Sequence, residues 1–208
     1  MAGRLLVALL WTVHWLPLGW QSALGRAFGA LAWALARSRR RVALRNLELC
    51  LPEKSDAERH ALAREHFDWL GRSLLERGLL WFASPERLKR LIHVEGDVGL
   101  ADATTEPVMW LVPHFMALDV AGVAVQLHVK RPGASIYQAQ SDPVVDAAMR
   151  RGRLRFGNAK IFARDETAKP LIRAIRDGDV FFYLPDMDFG ERDAAVVPFF
   201  GVPAATLL

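Results

Sequence analysis

Cysteine is nearly absent from this chain of 208 residues: Cys50 is the only one. A single thiol excludes an intrachain disulfide and a cysteine-rich metal site, and it fits a reducing compartment. Nothing near Cys50 is shown to activate it as a nucleophile, so it reads as packed or idle. No zinc-finger, RNP or helix-turn-helix pattern occurs, and nucleic acid is not an expected partner. Internal repeats and low-complexity tracts are also missing. Acidic residues are outnumbered, 23 against 27 Lys and Arg, for a net charge of +4 carried by a surplus of Arg. The chain is 52% hydrophobic, with seven Trp. A basic, apolar, Trp-rich chain suits an anionic membrane surface. The length allows one main domain with an appendage.

The N-terminus lacks the marks of a cleaved signal peptide. One Arg precedes the apolar run, and no clean small-x-small site leads into a polar start. Leu5 to Trp20 is apolar except for Thr12, His14 and Pro17, and the apolar character resumes from Ala23 to Ala36 around Arg26. Sixteen helical residues reach about 24 Å, short of a ~30 Å hydrocarbon core. The segment therefore either spans with help from its flank or lies in the interface. Trp11, Trp15, Trp20 and Trp33 suit the headgroup level. Arg37, Arg39, Arg40, Arg41 and Arg45 follow directly, and the positive-inside rule puts what comes after them in the cytoplasm. The expectation is an N-terminal membrane helix.

Ser55-Asp56-Ala57-Glu58 is a capping box opening a helix to about Phe82. Ser84-Pro85-Glu86 starts a short helix, and His93-Val94-Glu95-Gly96 reads as a short strand closing into a turn. From residue 107 strands and helices alternate. The strands are Val108–Val112, Ala134–Gln138, Asn158–Phe162 and Val180–Leu184. The helices are Leu118–Leu127, one opened by Ser141-Asp142-Pro143, and Thr167–Arg176 with Gly178 at its C′ position. This alternation predicts an α/β fold with a mainly parallel sheet flanked by helices. Three regions result: 1–36 membrane-anchoring, 37–106 helical and membrane-proximal, and 107–208 the α/β core. The chain finishes on a strongly apolar stretch, which reads as a core whose C-terminal part is missing.

Val108-Met109-Trp110-Leu111-Val112-Pro113-His114 carries most of the chemical information. An apolar strand ends at Pro113 and delivers His114 to the strand end, where α/β folds place their chemistry. Asp119 follows five residues on. On a helix such residues stand about 140° apart, so the pair meets only if the chain turns between them. Either they form a histidine base oriented by a carboxylate, or they are a capping His and an N-cap Asp. Three other clusters have similarly divided readings. Arg153 and Arg155, at the exit of the helix ending Met149-Arg150-Arg151-Gly152, either complement the helix dipole or clamp an anion. Asp186 and Asp188 stand just past a strand end, as turn residues or as part of a site. Phe199-Phe200-Gly201-Val202-Pro203-Ala204-Ala205 either lines an acyl-chain pocket or is core.

Taken in order, these motifs resemble the lipid A biosynthesis acyltransferase family, within the wider glycerophosphate and lysophospholipid acyltransferase superfamily. The matching residues are Pro113-His114-Phe115 with Asp119, Tyr137 with Asp142-Pro143, and Gly152-Arg153-Leu154-Arg155. They continue through Gly178-Asp179, Pro185-Asp186-Met187-Asp188-Phe189-Gly190 and Val197-Pro198-Phe199-Phe200-Gly201-Val202-Pro203-Ala204-Ala205-Thr206. Upstream, Arg45-Asn46-Leu47 and Leu51-Pro52-Glu53-Lys54 also fit. The resemblance implies a glycerophosphate-acyltransferase-like core, bound to the cytoplasmic face of a bacterial inner membrane. It implies transfer of a fatty acyl group from an acyl carrier protein thioester to a hydroxyl of a lipid A precursor, with His114 as general base and Asp119 its partner. No metal or other cofactor is implied. Arg153 and Arg155 would bind lipid phosphate or developing negative charge, and Asp186 and Asp188 would border the substrate. Many relatives carry Glu where this chain has Asp119.

Two other readings compete. Asp186-x-Asp188 also resembles the acidic pair with which some glycosyltransferases hold a divalent metal and a nucleotide sugar, an activity a chelator would abolish. Alternatively, the chain is a non-enzymatic, membrane-associated binding protein on a decayed acyltransferase fold.

Overall fold

The computed structural model describes residues 1–187 and 194–207. The chain forms two compact units, one of Met1–Trp15 with Arg77–Leu184 and the other of Leu16–Glu76 with Pro185–Leu208.

The first unit holds a four-stranded parallel sheet. Its strands are β1 (Met109–Leu111), β2 (Gly133–Tyr137), β3 (Ala159–Ala163) and β4 (Val180–Tyr183), in the spatial order β1-β4-β2-β3. Between them run α6 (Leu118–His128), α7 (Pro143–Leu154) and α8 (Lys169–Arg176). The parallel α/β architecture expected from the alternating pattern is what forms. Strand β4 is aromatic and β-branched, as a buried strand should be. Its pleat sends successive side chains to opposite faces. Val180 and Phe182 pack with Ala101, Val125, Val129 and Trp110. Phe181 and Tyr183 pack on the other side with Ala134, Leu171 and Ala174. Each such side chain, fully buried, stabilises the fold by roughly 1.5–3 kcal/mol.

Local chemistry sets the helix ends. Asp142 caps α7, accepting from the Val144 and Val145 amides at 2.9 and 3.2 Å, and Pro143 occupies the first turn. Helix α8 closes on Gly178 at φ 98°. The Asp179 amide donates to Ala174 O at 3.0 Å and the Gly178 amide to Ile175 O at 3.1 Å, the paired bonds of a Schellman end. The entrance to the sheet is held by Arg131. Its guanidinium donates to the carbonyls of Ala101, Thr104, Glu106 and Gly178, while Asp102 accepts from the Lys130 and Arg131 amides. Two further helices belong to this unit, α1 (Ala2–Val13) and α5 (Pro85–Leu91). Gly3 lies where any Cβ would strike the Asp142 carboxylate, so the α1 backbone packs directly on the side chain that caps α7.

In the second unit, α2 (Leu18–Leu35) and the part of α4 (Asp56–Phe82) up to Glu76 meet through glycines, while the last turns of α4, from Arg77, belong to the first unit. A Cβ on Gly71 would fall 2.1 Å from Gly25 O and 2.6 Å from Gly29 N. The capping box opens α4 as read: the Ser55 amide donates to Glu58 Oε2 at 2.8 Å and the Glu58 amide to Ser55 Oγ at 3.3 Å. The basic helix α3 (Arg37–Cys50) and a hairpin of β5 (Ala194–Phe199) and β6 (Val202–Leu207) complete this unit.

Three expectations are corrected. The N-terminal membrane helix is unsupported: Pro17, at φ −55° and ψ 147°, separates α1 from α2, and among the described residues no helix is long and apolar enough to cross a membrane. His93-Val94-Glu95-Gly96 forms no strand, although the chain does bend at Gly96 with φ 92°. The apolar C-terminal run is not core, since it folds as the β5–β6 hairpin with Val196, Phe199 and Phe200 exposed.

Amide donors hold the Asp142 carboxyl below its ordinary value of 3.8, with the Val145 and Val144 amides the main causes. A carboxylate depressed in the fold contributes stability above its unfolded pKa and loses it as pH falls through the folded pKa. Asp142→Asn keeps an oxygen acceptor for the cap but removes the titration. Urea midpoints measured from pH 5 downward are expected to fall less steeply in this variant than in the parent.

Candidate active site

Strand β1 ends the way its sequence requires. The Val112 amide still donates to Tyr183 O at 2.9 Å, and Pro113 then stops the ladder. The chain turns at once, with the Phe115 amide bonded to Pro113 O at 2.8 Å and the Leu118 amide to Phe115 O at 3.0 Å. His114 sits exposed in this turn at the C-terminal edge of the sheet. Helix α6 starts after the turn, with Asp119 in its first turn, where the helix dipole favours a carboxylate. The turn between the two residues, expected from their spacing, is present.

Asp119 is held from two sides. Arg153 Nη2 donates to Asp119 Oδ1 at 2.7 Å. Arg77 Nε lies 3.4 Å from Asp119 Oδ2, an ion contact rather than a hydrogen bond, and that Nε is buried. The Asp119 side chain is 22% exposed, so the charges are partly shielded from water. Such a contact is stronger than the near-neutral pairs found at open surfaces.

The helix ends explain why two arginines arrive here. Gly152 lies in α7, and a Cβ built on it would fall 2.3 Å from the Trp81 ring. Only glycine lets α7 approach the last turns of α4 so closely. Arg77 and Trp81 are four residues apart, and so on one face of α4. Trp81 packs against Gly152, and Arg77 reaches the same carboxylate that Arg153 reaches from α7.

The two predicted arginines diverge. A shared face needed α7 to end near Gly152, but the helix continues to Leu154. Arg153 reaches Asp119, whereas Arg155 donates to Leu80 O at 3.0 Å and to Ala83 O, closing the C-terminal carbonyls of α4. Burial lowers the Arg155 pKa from its usual value. Arg150 of α7 donates to Tyr137 Oη at 2.7 Å with its guanidinium over the ring, tying α7 to the end of β2. Beyond β4, Asp186 is exposed, and Asp188 lies outside the described residues. Among the described residues no group of three or more His, Cys, Asp or Glu is arranged to hold a metal ion. Sequence reasoning missed Arg77, which lies inside an ordinary amphipathic helix. The only signal was its spacing of four from Trp81.

Replacing Gly152 with Ala forces a methyl into the Trp81 ring. Overpacking of this kind costs about 1–3 kcal/mol. Chemical denaturation of Gly152→Ala is expected to show a loss in that range, and a value near zero would mean that α7 and Trp81 separate freely.

A family model described as bacterial lipid A biosynthesis acyltransferase matches residues 2–208. The chain is 32% identical over 201 residues to the lipid A biosynthesis lauroyltransferase of Escherichia coli (strain K12), covering 96% of this chain and 64% of that protein. It is 32% identical over 199 residues to a lipid A biosynthesis acyltransferase of Haemophilus influenzae, covering 95% and 63%. The lipid A biosynthesis myristoyltransferase of E. coli (strain K12) is 34% identical over 181 residues, 86% of this chain and 55% of that protein. The chain thus spans less than two thirds of the length of these relatives. It belongs to the bacterial lipid A biosynthesis acyltransferase family.

Proposed function

We propose that this chain carries the catalytic histidine and carboxylate of a lipid A acyltransferase. The enzyme moves a fatty acyl group from an acyl carrier protein thioester to a hydroxyl of a lipid A precursor. The observation that carries the reading is the site of a family member. His114 stands at the C-terminal edge of a parallel sheet, and the next helix presents a carboxylate held by two guanidinium groups.

In this reading His114 accepts the proton of the acceptor hydroxyl as its oxygen attacks the thioester carbonyl. The tetrahedral adduct collapses by breaking the carbon–sulfur bond, and the imidazolium returns its proton to the departing thiolate. An ester and a free carrier thiol result, with no acyl-enzyme. A thioester is already activated, so a base, positioning and charge stabilisation suffice. Asp119 orients the imidazole and stabilises its charged form.

Arg153 is assigned two duties that kinetics can separate. As a positioning residue it fixes Asp119, and its loss lowers kcat. As an anion contact it meets lipid phosphate or developing charge, and its loss raises the KM for the lipid. Arg155 acts differently here, through stability, since its donors serve α4. Asp186 and Asp188 are assigned a substrate-binding role by the family resemblance alone.

Membrane association rests on the helices near the N-terminus. Leu5, Leu9 and Trp11 are exposed on α1 and Trp15 just past it, as are Leu18, Trp20, Leu24, Phe28, Leu31 and Leu35 on α2. Arg37, Arg39 and Arg41 are exposed at the start of α3. Exposed apolar residues next to exposed arginines suit an anionic bilayer interface. The catalytic unit then works at the cytoplasmic face of the inner membrane.

His114→Ala is expected to reduce acyl transfer by about 10²- to 10⁴-fold, the usual loss of a general base. Near-parental turnover by this folded variant would overturn the mechanism. Asp119→Asn should be severely impaired, while Asp119→Glu keeps much of the activity. Arg77→Ala is expected to lower kcat with little change in KM for either substrate, partly restored in Arg77→Lys. A selective rise in KM would instead make Arg77 a substrate contact.

A further inference from the structure

The β5–β6 hairpin has an exposed apolar tip. Phe199 and Val202 are the last register partners, so Phe200 and Gly201 form a two-residue turn. Both have positive φ, 51° and 77°. A tight hairpin turn of this kind favours Asn, Asp or Gly at its first central position, and a bulky aromatic ring there is unfavourable. Phe200 nevertheless occupies it, 64% exposed, with its ring edge-on to Phe199, itself 57% exposed. Val196 and Val197 are exposed too, although neighbours on a strand point to opposite faces. The tip is therefore bare on both faces. A protein partner lying against one face would leave the other in water, whereas a lipid surface covers both. From 194 to 207 no residue is charged.

We propose that this hairpin tip dips into the headgroup–acyl boundary of an anionic bilayer, with Phe200 as its leading residue. The inference rests on the membrane reading above, and the same unit carries the exposed arginines of α3, which supply attraction to anionic lipid. Insertion is shallow, because a two-stranded hairpin has open edges whose amides and carbonyls need water. The unfavourable conformation of Phe200 marks the tip as kept for contact rather than for folding.

The test compares the full chain with Phe200→Asn, a substitution that suits the turn and removes the ring. Each is partitioned onto vesicles of phosphatidylcholine alone and of phosphatidylcholine with phosphatidylglycerol, at low and high salt. Thermal melting and gel filtration are run without lipid. Phe200→Asn is expected to bind about tenfold or more weakly at high salt on both vesicle types, with a melting temperature equal to or above the parent's. Arg39→Ala with Arg41→Ala should weaken only the salt-sensitive binding to the anionic vesicles. If the parent binds and Phe200→Asn binds equally well, the inference falls and the membrane reading stands. If the parent binds neither vesicle type, both fall. A lower melting temperature would make Phe200 a packing residue, and an altered oligomeric state would assign the tip to a second copy. Either result overturns the proposal.

Discussion

The candidate site depends on one carboxylate held between two guanidinium groups. Asp119 takes Arg153 from α7 and Arg77 from the end of α4, at 2.7 and 3.4 Å. Both arginines reach it where the α7 backbone packs against the Trp81 side chain of α4, and a missing Cβ at Gly152 makes that packing possible. Arg155 then locks the same contact by closing the carbonyls of Leu80 and Ala83. A steric property of one residue thus becomes an electrostatic property of the site.

This arrangement also gives the aspartate a setting of its own. Asp119 starts from the first turn of α6, where amide donors and the helix dipole favour negative charge. Two cations flank it, and a partly shielded carboxylate so placed is fixed in direction. That fixed direction is what a partner to a histidine base requires. In the proposed mechanism Arg153 holds Asp119 and also meets an anionic substrate, and the two roles make opposite demands on its geometry.

Much of the sheet unit was legible in the residues, because its signals are local. Pro113 stops β1, Asp142-Pro143 starts α7, and Gly178 ends α8, each through backbone chemistry within a few residues. The clamp was not legible. Arg77 and Asp119 are far apart in sequence, and nothing local distinguishes Arg77 from a solvated helix charge. Gly152 looked like a helix end, which would have turned Arg153 and Arg155 the same way. It is a contact glycine inside a continuing helix, so the two arginines serve different partners. The hairpin was missed for a related reason. Phe200-Gly201 lacks the Asn-Gly or Asp-Gly pair that announces a tight turn, and an apolar run without that mark reads as core.

The central claim is that Arg153 and Arg77 act through Asp119 on His114. The most direct measurement is a mutant cycle on kcat, with His114→Ala and Arg153→Ala made singly and together and assayed at saturating lipid acceptor. Groups acting as one unit are not additive, so the double variant is predicted to turn over about as slowly as His114→Ala alone. Full additivity, with Arg153→Ala costing as much without His114 as with it, would contradict the account and leave Arg153 an independent substrate contact.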